Sequence, residues 1–456
     1  MKLKLIFSIL IVLFYNCTYA QFLNIVTFGA KEGSNVNNAV AIQKTIDKCA
    51  EKGGIVLIPP GKYYTGTIYL KSNVTLSIMK GAELIGSPYL KDYPVNSVSA
   101  KTRPPHRPNW PSMPSRALIY ADGASHISII GEGTINGNGR SKDFQTQDDD
   151  PNRPKVIMFV ACKDVNVRDI HLMNSAFWMQ HYFACDGVRI SGISVYNHGN
   201  LNNDGIDIDS RNVTVSDCNI DSDDDGICMK SDGYELVENV SITNCIVASN
   251  CNLIKMGTAS YAGFQNVSIS NCVLKKATVS VMGKIRRRLN SVADSISGEA
   301  GIALEAVDGG SIDQVVISNI SITGVQTPIF IKLGNRKYQP GPVGHIIISN
   351  VTATSNSLLP SSITGVPGHD IENIVLRDIM LISKGGGKHM DGTGSEIPEN
   401  AAGYPGNTMF GDRLPAYGLF LRHVKNVDLN NVKFYLLSPD ERPPVYQSDV
   451  KNFKSD

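Results

Sequence analysis

The amino-acid sequence predicts an all-β protein wound as a parallel β-helix, with one short helix capping its N-terminal end. Two observations carry that prediction. The first is a stretch of alternating apolar and polar residues that recurs ten times, as in Val165-Asn166-Val167-Arg168-Asp169-Ile170, Val213-Thr214-Val215-Ser216-Asp217-Cys218 and Val240-Ser241-Ile242-Thr243-Asn244-Cys245. Period-two alternation marks a strand with one buried face. The second is the spacing: the stretches begin at Ile127, Val165, Val188, Val213, Val240, Val267, Val315, Ile346, Ile374 and Val427. Most of these steps suit one turn of a solenoid, in which no unit buries its apolar face alone and each must stack on its neighbours. The longest steps, after Val267 and after Ile374, fit two turns or one turn with an insertion.

The elements follow in order. Residues 1–20 read as a secretory signal, with Lys2 and Lys4, an apolar run from Leu5 to Phe14, and Ala20 before the expected cut. The run is too short to span a bilayer. A lipid anchor on Cys17 is the less favoured alternative, because Tyr15-Asn16 suits it poorly. Export to the periplasm or the medium is therefore expected, leaving a single domain over 21–456. Asn37-Asn38, the apolar face of residues 39–50 and Gly53-Gly54 mark the capping helix. Strands are expected at 54–58, 67–70 and 74–78.

Three segments break the repeat: 101–115, with Arg103, His106, Arg107 and Trp110; 283–300, with Lys284 and Arg286 to Arg288; and 385–416, with His389, Glu396, Glu399 and Tyr404. Long loops on a rigid scaffold commonly carry binding residues, although each also reads as a tolerated insertion.

The chain has 43 Lys and Arg against 42 Asp and Glu, a balance that argues against general nucleic-acid affinity. Cys218, Cys245 and Cys272 occupy the position held by Ile170, Ile193 and Ile320 in other coils. They are expected as stacked interior thiols rather than a disulfide framework. No Cys/His spacing resembles a zinc site, and neither a metal nor another cofactor is expected.

The densest acidic cluster runs Asn202-Asn203-Asp204-Gly205-Ile206-Asp207-Ile208-Asp209, then Asp221-Ser222-Asp223-Asp224-Asp225-Gly226-Ile227-Cys228-Met229-Lys230-Ser231. Asp204 and Asp225 each precede Gly-Ile at about one coil's spacing, so they should stack about 4.8 Å apart. Alternation turns Asp207, Asp209, Cys228 and Lys230 outward. Aligning Ser231 with Thr258 places Asn252 over Asp225 and Lys255 over Cys228. Like charges at this range raise one another's pKa, so a solenoid with no use for them should dilute them. Acid–base chemistry on a glycoside, a calcium site and stacked turn residues all remain open on spacing alone.

These residues resemble a known family. Asn202-Asn203-Asp204-Gly205 is similar to the Asn-Thr-Asp-Gly motif of the polygalacturonase family (glycoside hydrolase family 28). Asp224-Asp225-Gly226 with its alternating strand resembles that family's paired-aspartate motif, and Gly81–Ser87 and Gly131–Gly137 also fit. The resemblance implies a right-handed parallel β-helix and an inverting hydrolase, with Asp224 as general acid and Asp204 and Asp225 holding the attacking water. Inversion wants carboxyls about 6.5–9.5 Å apart, so Asp224 is expected to stand off from its partners.

Two positions depart from the family. Its Gly-His-Gly falls on Cys251-Asn252-Leu253, and the Arg-x-Lys that grips a galacturonate carboxylate falls on Ala303-Leu304-Glu305. Candidate substrate contacts are therefore Asp207, Lys230, Asn252, Lys255, Glu305, Lys332 and Arg336, with Lys284, Lys337 and Arg286 to Arg288 as further cations. Trp178, His181 and His198 precede the aspartates and either line the groove or pack in the core. The expected activity is exo-acting hydrolysis of pectic or related uronic-acid or rhamnogalacturonan-type chains by a monomer. A β-elimination lyase and a non-catalytic carbohydrate-binding solenoid are the alternatives.

Overall fold

The computed structural model describes residues 21–33, 36–96, 116–145, 152–279, 298–389, 391 and 397–456. They form a right-handed parallel β-helix whose strands, from Gln21–Asn24 to Val445–Ser455, join one continuous ladder. The ten repeats stack in register. Ile127 pairs with Val165, and Val165, Val188, Val213, Val240, Val267, Val315, Ile346, Ile374 and Val427 follow one above another. Both long steps are thus single turns carrying an insertion, since Val267 pairs directly with Val315 and Ile374 with Val427.

Each full coil contributes to three faces. The repeat strands form the first. A second carries the ladder Leu172, Val195, Ile220, Val247, Leu274, Ile322, Ala353, Leu381. The third carries Ile206, Ile227, Ile254, Ile302 and Ile329. Their inward side chains make one apolar core running the length of the coil, which explains why every interior position must be apolar while its neighbours alternate outward.

Two corners bend around stacked Asn and Asp residues. Asn212, Asn239 and Asn266 at one corner, and Asp217, Asn244, Asn271, Asn319 and Asn350 at the other, hold positive φ near 55°. Asn tolerates that left-handed conformation better than other residues with a side chain. The amides also bond along the stack, Asn239 to Asn212 at 2.9 Å and Asn319 to Asn271 at 3.1 Å.

The helix Ala39–Ala50 turns Ile42, Ile46 and Cys49 into the core end beside Ile25 and Val56. Gly53, at φ +76°, donates its N–H back to the Cys49 carbonyl and stops it. The eight described cysteines are free and buried, with Cys218, Cys245 and Cys272 in the core wall. No described helix is long and apolar enough to cross a membrane.

Candidate active site

The acidic residues gather where chain from the second face turns into the third. Gly205 donates its N–H to the Asp225 carbonyl (2.9 Å) and Gly226 to the Asn252 carbonyl (2.8 Å), so Asp204, Asp225 and Asn252 stack in successive coils. A Cβ on Gly205 would meet the Gly226 carbonyl and Ile220, and one on Gly226 would meet Val247. Only glycine lets the turns descend this closely. On the outward side of the third face, His181, Asp207, Cys228 and Lys255 form the neighbouring column.

Two lysines thread the carboxylates. Lys230 Nζ lies 3.2 Å from Asp204 Oδ2, 3.0 Å from Asp207 Oδ1 and 3.2 Å from Cys228 Sγ. Lys255 Nζ lies 3.1 Å from Asp225 Oδ2 and 3.7 Å from Glu305 Oε2. Asn252 donates Nδ2–H to Asp225 Oδ1 at 2.9 Å. Thr258 Oγ1 is 2.9 Å from Glu305 Oε2 and 3.2 Å from the Tyr404 hydroxyl. Asp224 accepts the Asp225 N–H at 3.0 Å, while Ser222 and Ser249 hydroxyls hold its carbonyl.

The environment pushes these groups apart in acidity. Burial raises Asp204, and neighbouring Asp207 adds to the rise. Burial also brings Asp207 up to about 6, against the pull of Lys230. At Asp225 burial acts the same way, but Lys255, Lys230 and Asn252 outweigh it and hold the carboxyl well below the usual range. Glu305 is brought up to about 7 by burial, with Lys255 opposing. One face thus holds carboxyls that burial makes weaker acids beside one that its lysines make a stronger acid, a spread of the kind acid–base chemistry uses.

Several expectations are corrected. Ser231 pairs with Ser260, not Thr258, because a bulge after Met229 takes up two extra residues at Gly257-Thr258. The outward face is more covered than alternation implies: Asp207 is fully buried and Cys228 with it. Lys155 and Trp178 border it upstream, and residues 397–410 lie over it downstream, where Phe410 packs on Phe420 and Met409 against Phe330. One oxygen of Asp224, one of Asp225 and Cys251 Sγ lie within 4.8 Å of one another. Glu305 lines the site as Lys255's second partner rather than as an unopposed charge.

Other candidates face internal partners. Lys332 is fully buried, with its ammonium on the Gly365 carbonyl at 3.3 Å. Arg336 forks onto Asp308, with Nε to Oδ1 at 2.8 Å. His198 is fully buried between Asp221 (2.8 Å) and Asp223 (3.7 Å). Burial opposes its charge, but those carboxylates prevail and raise its pKa, so it braces the 221–225 turn. Trp178 borders the cluster, stacked on Phe177 with Lys230 4.5 Å from its ring centroid. Sequence reasoning overlooked Lys155 and Thr258. Lys284, Arg286 to Arg288 and residues 101–115 lie outside the described residues.

Fold and site together are those of a parallel β-helix bearing clustered carboxyls and lysines on one outer face. The chain belongs to glycosyl hydrolases family 28, whose model it matches over residues 108–403. It is 35% identical over 131 residues to an exo-poly-alpha-D-galacturonosidase of Dickeya chrysanthemi, covering 28% of this chain and 21% of that one. To a probable polygalacturonase of Vitis vinifera it is 28% identical over 219 residues, 46% of this chain and 44% of that protein. The chain therefore spans less than half the length of these curated relatives. A solved exopolygalacturonase of Yersinia enterocolitica shares the fold at TM-score 0.72 and 20% identity, over 96% of this chain and 79% of that one.

Proposed function

We propose that this protein hydrolyses α-glycosidic bonds in acidic polysaccharides or oligosaccharides of the pectic or rhamnogalacturonan type, from chain ends and with inversion. The carrying observation is the convergence of Asp204, Asp224 and Asp225 from successive coils beside Lys230 and Lys255. Asp225, kept ionised by Lys255, takes the proton of the attacking water. Asp224, by its motif, gives its proton to the leaving glycosidic oxygen, and Asp204 completes the cradle for the water. Exo action draws on the names of the relatives and on residues 397–410 covering one end of the face.

Asp224→Asn tests the reading: release of reducing sugar from oligogalacturonides should vanish while the thermal transition stays in place. Activity surviving that change would overturn the assignment of Asp224. The stereochemical outcome has its own test, because Asp224 and Asp225 each bring an oxygen within 4.8 Å of the other. Proton NMR of the first product formed decides it, since an inverting enzyme releases the β-anomer from an α-linked chain. Export with loss of residues 1–20, a single domain over 21–456 and a monomeric state belong to the same proposal. The mass of the exported protein and light scattering test them.

A further inference from the structure

The three lysines around the carboxyl cluster are not equivalent. Lys230 and Lys255 each hold two carboxylates of this chain. Lys155 holds none within ion-pair distance among the described residues. It opens the strand Lys155–Val160 at 3% exposure, its ammonium 5.0 Å from the Trp178 ring centroid and 5.2 Å from that of Phe177. An ammonium this deep without a carboxylate or carbonyl partner is expensive, and aromatic faces recover only part of that cost.

Its position is informative. Ile157 pairs with Gln180 and His181 with Asp207, and Met179 donates its N–H to the Asp204 carbonyl at 3.0 Å. Lys155, Trp178, Asp204 and Asp225 therefore lie in one column, with Lys155 two coils, or roughly 10 Å, from Asp204. Around Trp178 other buried atoms lack hydrogen-bond partners: His181 Nδ1, Asp204 Oδ1 and Asp207 Oδ2, the Oδ1 of Asp207 being held by Lys230. Buried polar groups are rarely left so, and together they mark a place for a polar ligand.

We infer that Lys155, seated on Trp178, is the residue that recognises a carboxylate of the substrate, in place of the missing Arg-x-Lys pair. This rests on the proposed hydrolysis of an acidic glycan and adds the group that selects it. A uronate beside the residue under attack would give Lys155 the charge-assisted hydrogen bond that the chain itself does not supply. The groups facing the ammonium are Asp207, Asp204, Lys230 and His181, and burial with Lys230 outweighs the two carboxyls to bring it down to about 8.

The test compares trigalacturonate with its fully methyl-esterified form, in wild type, Lys155→Met and Lys155→Arg. One hydrogen bond to a charged group contributes about 1.5–3 kcal/mol, so Lys155→Met should lower the ratio of kcat/KM, free acid over ester, by roughly tenfold to a hundredfold. Lys155→Arg should recover part of it. In wild type the KM for the free acid should climb above pH 8, and Lys155→Met should lack that climb. Removing a buried charge in favour of an apolar side chain should leave melting unchanged or higher. An unaltered ratio, or equal losses on both trimers, would overturn the role of Lys155 while leaving the hydrolase reading intact. If wild type cleaves neither trimer, the hydrolase reading fails instead. Calorimetric titration of trigalacturonate then decides Lys155, with equal affinities of wild type and Lys155→Met counting against it.

Discussion

Glu305 offers the sharpest quantitative check on the charge arrangement at the site. Its carboxyl is 1% exposed, 3.7 Å from Lys255 and 2.9 Å from the Thr258 hydroxyl. Burial moves its pKa from 4.5 to about 7. In the unfolded chain the group loses its proton from about pH 4.5 upward, whereas the folded protein holds it to about pH 7. Over that window the folded state binds more protons than the unfolded one, so this group's contribution to stability falls as pH rises. At 1.36 kcal/mol per unit, the fall is about 3 kcal/mol, complete by pH 8. Glu305→Gln retains an acceptor for Thr258 and does not titrate. Urea unfolding of both proteins at pH 4.5, 6 and 8 should therefore show the variant gaining about 3 kcal/mol on wild type between the ends of the range. Other titrating groups largely cancel in the difference. A difference independent of pH, or one favouring wild type as pH rises, would mean that Lys255 keeps Glu305 ionised, and the charge assignment here would be wrong.

Other outcomes follow from the same structure. Asp224→Asn should cost at least about a thousandfold in kcat, within the range set by loss of a general acid, with circular dichroism unchanged. Steady-state kinetics with far-ultraviolet spectra check both together. Asn271→Ala should destabilise by about 1–2 kcal/mol, because alanine resists φ near 55° and breaks the corner ladder, whereas Asn271→Gly should cost less; thermal melts of the pair give the comparison. Native protein should leave the eight described cysteines unreacted with a thiol reagent, all becoming available in denaturant. Finally, products should show no new ultraviolet absorbance with or without EDTA; absorbance that grows and is lost on chelation would establish the eliminating alternative.

Much of this molecule is legible in its residues. Every repeat start recognised from alternation pairs with the next, from Ile127 to Val427, because a solenoid's core imposes the same apolar demand on each coil. The stacking of Asp204 on Asp225 was equally visible, since each precedes Gly-Ile and the core fixes Ile206 against Ile227. The corner ladders left a trace too, in the Asn or Asp before most of the closing Cys, Ile or Val residues, but a left-handed φ cannot be recognised from residue type alone. Register beyond the bulge was not legible. The two residues that displace Ser260 onto Ser231 are invisible to a count of one-coil spacing.

Sequence alone determined the coil, its inward face and the coils on which the acids sit, because periodic burial is a local property repeated along the chain. Tertiary structure decided which polar groups partner which. Lys230 answers to Asp204 and Asp207, Lys255 to Asp225 and Glu305, while Lys332 and Arg336 turn to internal partners and Lys155 is left over. Those pairings depend on distances of 3 to 4 Å between long side chains from different coils, and on how deeply later segments such as 397–410 cover them. Neither quantity is carried by spacing along the chain.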